Sequence, residues 1–236
     1  MLYIFAWVVS VVNYPKRHQK YCTKQTKRCS EDLGSPNYRY ELLGKDTPIC
    51  CATHLYMILK DVVKVLEEHQ IEYFISFGTL LGAVRHGGMI PWDTDIDIVV
   101  SEEGQAKAYA LLQQFYSHQY DISIDKYKGM VGDIVRINYS KVNHLHIDIF
   151  IYQQPDNHTV YLGLQETLAY DVVFPLKPIT FYDLSLYAPN DSDTFLKHFF
   201  GEDYRTHAYR QWGLDKRKFK LQSFEPAPID VKMYDS

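Results

Sequence analysis

Apolar and polar positions change period along the chain, and the changes mark its elements. From Ala52 to His69 the apolar residues Leu55, Ile58, Leu59, Val62 and Leu66 recur at three and four, which predicts an amphipathic helix packed on a sheet. Tyr73 to Ser76 is a short aromatic and β-branched run that reads as a buried strand. Gly78 allows a tight turn, Thr79 can cap a short helix running to Arg85, and Gly87 with Gly88 ends it. Thr94 to Val100 alternates with period two, so Ile96 and Ile98 share one face of a strand while Asp95 and Asp97 share the other. His146 to Ile151 alternates in the same way, with Asp148 between Ile147 and Ile149. A helix is expected over Glu103 to Ser117 with Ala106, Ala110, Leu111 and Phe115 inward, a strand over Ile134 to Tyr139, and a helix over Phe195 to Tyr204. In that last segment Phe199, Phe200 and Tyr204 should close the core, and the tail from Phe224 is expected to be loose. The result is an α/β fold: a mixed sheet flanked by helices.

The polar positions inside this pattern carry the chemistry. Two carboxylates side by side on a strand repel, so the arrangement is costly unless a cation or a proton sits between them. Magnesium or manganese, which prefer hard oxygen ligands, suit the place, and Asp148 on a neighbouring strand can complete the set. A helix starting at Gly78 and Thr79 points backbone N–H groups and the positive end of its dipole at whatever lies in front, which suits a phosphate. Strand, Gly-Thr, helix, Asp-x-Asp and a distant third aspartate together describe a site for metal-assisted phosphoryl transfer, whereas Asp-x-Asp alone is more often a solvated strand end. Asp93 shares the parity of Asp95 and can assist behind it. His144 and His146 share the parity of Asp148, an alternation that by itself suggests metal ligation. Arg85 and His86 could contact a diphosphate or an acceptor. Trp92 could wall the pocket, though a tryptophan beside a proline turn is as often packing.

Composition narrows the picture. The 236 residues are 46% hydrophobic and 15% aromatic, enough for one sizeable core, and the 20 tyrosines suit clefts that bind sugars or bases as well as a half-buried core. A net charge of -4 gives no general nucleic-acid signal. Basic residues do gather at Lys16, Arg17, Lys20, Lys24, Lys27 and Arg28, and Arg28 offers a planar fork for a phosphorylated acceptor. Leu2 to Val12 is apolar but shorter than the roughly 20 residues that cross a bilayer. All four cysteines, Cys22, Cys29, Cys50 and Cys51, lie towards one end, which fits either two disulfides or one four-cysteine zinc site. The sequons at Asn138, Asn157 and Asn190 matter only in the secretory pathway, where Asn157 is the most accessible.

The stretch GTLLGAVRHGGMIPWDTDIDI resembles the signature of the LicD family of phosphotransferases, and the likeness continues in NHLHIDIF, DVVFP and APND. It is strongest to the fukutin-related branch and covers nearly the whole chain from about Tyr21. The resemblance implies a nucleotidyltransferase-type fold over 21–236, with residues 1–20 the end of an upstream stem. It implies CDP-ribitol as donor, a phosphorylated O-mannosyl-type glycan on a glycoprotein as acceptor, release of CMP, and residence in the Golgi lumen, with a homo-oligomer possible. It makes Asp95, Asp97 and Asp148 the catalytic residues on magnesium or manganese, retains Arg85 and His86, and favours structural zinc on Cys22, Cys29, Cys50 and Cys51 within 22–51. The segment from Asp171 to Pro189 is then expected to cover the sugar end of the site. Relatives often carry Gly-Gly-Ser where this chain has Phe77, Gly78 and Thr79. Transfer of phosphocholine or another CDP-linked alcohol is the alternative within the family, and a glycan-binding module without catalysis the alternative outside it.

Overall fold

A computed structural model describes residues 23–25, 46–163, 165–208, 218–230 and 232. Helix α1 (Ile49–Glu68) begins after Pro48 and buries its Leu55, Ile58, Leu59, Val62 and Leu66 stripe as the periodicity requires. Strand β1 (Tyr73–Ile75) leads directly into α2 (Phe77–His86), and Gly87, at φ 77°, closes that helix in the left-handed conformation that glycine adopts without a steric cost. Strand β2 (Asp95–Ser101), helix α3 (Glu102–Tyr116) and strands β3 (Asp121–Asp125), β4 (Ile134–Asn138) and β5 (His146–Gln153) follow. Then come β6 (Thr159–Leu162), β7 (Glu166–Ala169), the single turn α4 (Tyr170–Val173), the hairpin β8 (Lys177–Phe181) and β9 (Leu184–Ala188), and α5 (Ser192–Phe200). A two-residue pair, β10 (His207–Ala208) with β11 (Phe219–Lys220), ends the list.

Seven strands form one mixed sheet in the order β1-β2-β5-β4-β3, with β6 and β7 continuing from the far end of β5. Only β2 and β5 run parallel among its pairs. They lie at its centre, and their isoleucines Ile96, Ile98, Ile147 and Ile149 are fully buried. Helices α1 and α3 pack against these strands and against each other. No helix among the described residues is long and apolar enough to cross a membrane.

Several expectations need correction. In α3 the buried residues are Ala108 and Leu112, while Ala106 and Ala110 are exposed and Phe115 is 44% exposed. The inward stripe is therefore rotated from the one expected. Its turn nearest the sheet is fixed by a polar residue, Gln105, whose amide donates to the carbonyls of Asp133 and Ile149 at 2.8 and 2.7 Å. The helix expected over Phe195 to Tyr204 runs from Ser192 to Phe200, capped by the Asp191 carboxylate on the Thr194 N–H, and Phe200 points outward while Tyr204 is buried. The tail is anchored: the Ala227 N–H donates to Met89 and the Asp230 N–H donates to the Thr53 hydroxyl, both at 2.9 Å. The β8–β9 hairpin lies against β1, α1 and the C-terminal end of α2. Tyr187 meets Tyr73, Tyr182 meets Tyr56, and the Tyr182 N–H donates to Gly87 at 2.7 Å. This places it at the end of α2 away from Gly78.

Candidate active site

The parallel pairing of β2 with β5 sets the site. In its register Asp97 stands directly opposite Asp148 and Asp95 opposite His146. Because side chains alternate, the same register that buries four isoleucines puts Asp95, Asp97, His146 and Asp148 together on the other face. The third carboxylate expected from a neighbouring strand is therefore beside the pair. Asp148 is 5% exposed, and Asp97 is half-buried. Burial, followed by the charges of Asp95, Asp148 and Asp93, pushes the Asp97 carboxyl well above the usual range. The site thus carries more negative charge than its own residues neutralise.

Helix α2 meets this cluster with its first turn. Its N-cap residue is Ser76, so Thr79 lies inside the helix rather than capping it, and the Thr79 hydroxyl accepts from the Asp97 N–H at 2.8 Å. The threonine ties helix to strand. A methyl group built on Gly78 would come within 2.9 Å of Asp93 Oδ2, so the Asp93 carboxylate lies against the helix N-terminus. Phe77 adopts φ 44°, a left-handed conformation that costs an L residue energy and suits glycine. Its ring is held edge-on between Phe150 and Phe199, at 5.6 and 5.1 Å between centroids.

Arg85 and His86 sit at the opposite end of α2, about 10 Å from Gly78 along the axis at 1.5 Å per residue. Both are buried. Arg85 Nη1 donates to the carbonyls of Tyr204 and His207 at 3.0 and 3.4 Å, and its Nε donates to His86 Nε2 at 2.9 Å. Burial, helped by the Arg85 charge, lowers the His86 pKa to about 4, so this ring is neutral at pH 7. Trp92 packs between His86 and Phe219. These three residues join α2 to the C-terminal segment. Arg28, Cys22 and Cys29 lie outside the described residues. Cys50 and Cys51 are buried in the first turn of α1.

Sequence reasoning missed Arg136. It stands opposite Asp148 on β4 and grips both of its oxygens, Nε to Oδ1 at 2.8 Å and Nη2 to Oδ2 at 2.7 Å. Its Nη1 also lies 3.3 Å from Asp125 Oδ2 and donates to the Tyr127 hydroxyl at 3.2 Å. A signal existed: a cation between Val135 and Ile137 in a central strand needs an acid beside it. His146 Nε2 is 3.7 Å from Asp148 and 3.9 Å from Asp95, and burial lowers its pKa. The acids offer hard oxygens of the kind a divalent ion takes, and their surplus charge fits one. In this conformation, however, no three His, Cys, Asp or Glu side chains among the described residues are grouped to hold a metal.

The sequence that builds this site has relatives among known proteins. Residues 70–191 match the profile described as LicD/FKTN/FKRP, nucleotidyltransferase domain. The chain belongs to the LicD family. It is 33% identical over 193 residues to the mouse ribitol 5-phosphate transferase FKRP, covering 76% of this chain and 38% of that one, and the match to the human protein has the same extent. The LicD-family lipopolysaccharide cholinephosphotransferase of Haemophilus influenzae is 30% identical over 102 residues, covering 39% of this chain and 38% of that one. The chain thus matches under two fifths of the length of these relatives. Among solved structures, the lincosamide adenylyltransferase LnuA with lincomycin bound superposes with a TM-score of 0.42 at 13% identity, covering 62% of this chain and 93% of that one. The LicD-matched segment spans β1 to the cap of α5, and every acid of the site falls within it.

A cleft of about 1010 Å³ opens at the other end of β5, where Tyr73, Tyr152, Tyr170, Phe174 and Tyr187 are among its lining. None of the site acids lines it.

Proposed function

We propose that the chain is the catalytic part of a phosphotransferase that moves ribitol 5-phosphate from CDP-ribitol to a phosphorylated glycan. The observation that carries this reading is the pairing of Asp97 with Asp148 across parallel strands, beside Asp95 and the first turn of α2. The 33% identity to the ribitol 5-phosphate transferases supports the donor. In the reaction the acceptor hydroxyl oxygen bonds to the donor phosphorus, the bond from that phosphorus to the CMP oxygen breaks, and CMP leaves. Asp95, Asp97 and Asp148 would hold magnesium or manganese, which when bound supplies charge stabilisation at the phosphoryl group. One of the same carboxylates takes the acceptor proton. Thr79 holds the Asp97 backbone in place, and Gly78 keeps the α2 N-terminus accessible. Structural zinc on Cys22, Cys29, Cys50 and Cys51 belongs to the same reading, supported by the adjacent placement of Cys50 and Cys51 in the first turn of α1. So does work on glycoproteins in the Golgi lumen.

The deciding experiment measures CMP release from CDP-ribitol and from CDP-choline, with magnesium or manganese, for the whole chain and for Asp97→Ala. Metal-dependent release from CDP-ribitol that disappears in the variant is the expected result. A preference for CDP-choline, the reading favoured by the likeness to the cholinephosphotransferase, would keep the family and change the substrate. No reaction and no binding of either donor would leave a glycan-binding module.

A further inference from the structure

Arg136 is the cation built into the acidic cluster. Its fork takes both oxygens of Asp148, so Asp148 cannot chelate a metal ion through both oxygens while the pair lasts. Yet one guanidinium does not neutralise the cluster, because Asp97 stands opposite Asp148 on the paired strand, with Asp95 two residues before it and Asp93 against the first turn of α2. A divalent ion entering among these carboxylates competes with Arg136 for Asp148, which leaves Nη1 on Asp125 and frees Nε and Nη2 for a further anion. A guanidinium stays charged at any physiological pH, and its fork matches a phosphate as it matches a carboxylate.

We propose that Arg136 is a donor-binding residue whose pair with Asp148 is its resting position, and that loading of the metal releases its fork to the diphosphate of the nucleotide donor. This rests on the phosphotransferase reading above. Three observations support it. Nη1, the arm that does not reach Asp148, lies 3.3 Å from Asp125 and donates to the Tyr127 hydroxyl at 3.2 Å, and the Tyr127 ring is 5.9 Å from the guanidinium carbon, so contacts independent of Asp148 keep the side chain beside the site. Tyr127 is 46% exposed, so this side of Arg136 faces solvent. The other cationic candidates in the matched signature are committed elsewhere: Arg85 donates to backbone carbonyls and His86 is neutral.

The test uses the full chain, with Mn²⁺ binding followed by electron paramagnetic resonance and CDP binding by calorimetry. Arg136→Met should bind Mn²⁺ at least tenfold more tightly without nucleotide, because the competitor is gone. At saturating Mn²⁺ it should bind CDP at least tenfold more weakly, because the fork is gone. If the methionine variant does not fold, Arg136→Gln, which stays polar but carries neither the charge nor the fork, provides the same two readings. Unchanged or weaker Mn²⁺ binding, or unchanged CDP binding, overturns the proposal. Asp97→Ala separates the two layers. If it abolishes Mn²⁺ binding while Arg136→Met changes nothing, only the role of Arg136 falls. If Asp97→Ala binds Mn²⁺ like the wild type, the metal-dependent reading falls and takes the role of Arg136 with it.

Discussion

At Asp97 stability and function pull in opposite directions. Its carboxyl is pushed up in the folded protein, so the folded state holds a proton that the unfolded state has already lost. The sign follows: in the metal-free protein this residue lowers stability as pH rises from the ordinary aspartate range towards the folded pKa, and contributes nothing below it. Asp97→Asn removes that penalty. Without metal at pH 7 it should melt above the wild type, by roughly 2–4 °C for each kcal/mol relieved, with the difference vanishing near pH 3.5, while CMP release is lost. Scanning calorimetry across pH checks this, and a lower melting temperature for Asn at pH 7 would show that the cluster is already neutralised. Gly78 poses a related contest. Alanine gains about 1 kcal/mol of helix propensity but its methyl meets Asp93 at 2.9 Å, and a carboxylate can swing away. Gly78→Ala should therefore leave the melting temperature within a few degrees of the wild type and raise the donor KM severalfold, an effect that Asp93→Ala in the same chain should partly reverse.

The turn between β1 and α2 reverses an ordinary preference. Inside a helix alanine is better than glycine by about 1 kcal/mol, but Phe77 sits at φ 44°, where any side chain is strained. Either truncation loses the contacts with Phe150 and Phe199. Phe77→Gly also relieves the strain, so Phe77→Ala should be the less stable of the two by about 1 kcal/mol, or roughly 2–4 °C. Paired melting curves decide it, and the usual order would show that the backbone relaxes once the ring is gone. The elements themselves were largely legible, because β2 and β5 alternate strictly and α1 repeats cleanly at three and four. The partnership of Asp97 with Asp148 was legible for the same reason. What was not legible depended on partners distant in sequence. Arg136 declares its role only when β4 is laid beside β5, and Arg85 looks like a phosphate ligand until the carbonyls of Tyr204 and His207 are found on it. The face of α3 was misread because alanines weigh little in a periodicity and Gln105 turned inward.

Over the whole molecule, the C-terminal segment is a strap. Ala227 is 1% exposed, accepts from the Tyr182 hydroxyl at 2.6 Å and donates to Met89, and Gly88 is flat because Tyr182 and Pro226 both press on it. Replacing residues 224–236 by a stop should lower the melting temperature by several degrees and open the Gly87–Gly88 turn to protease. Unchanged melting and cleavage would mean that the strap contributes nothing to the fold. Its furthest contact joins Asp230 to Thr53 across 177 positions, at the turn of α1 that holds Cys50 and Cys51. A chain growing on the ribosome makes Thr53 long before Asp230 exists. That turn of α1 therefore goes without the strap's cover until the last residues of the strap have been made.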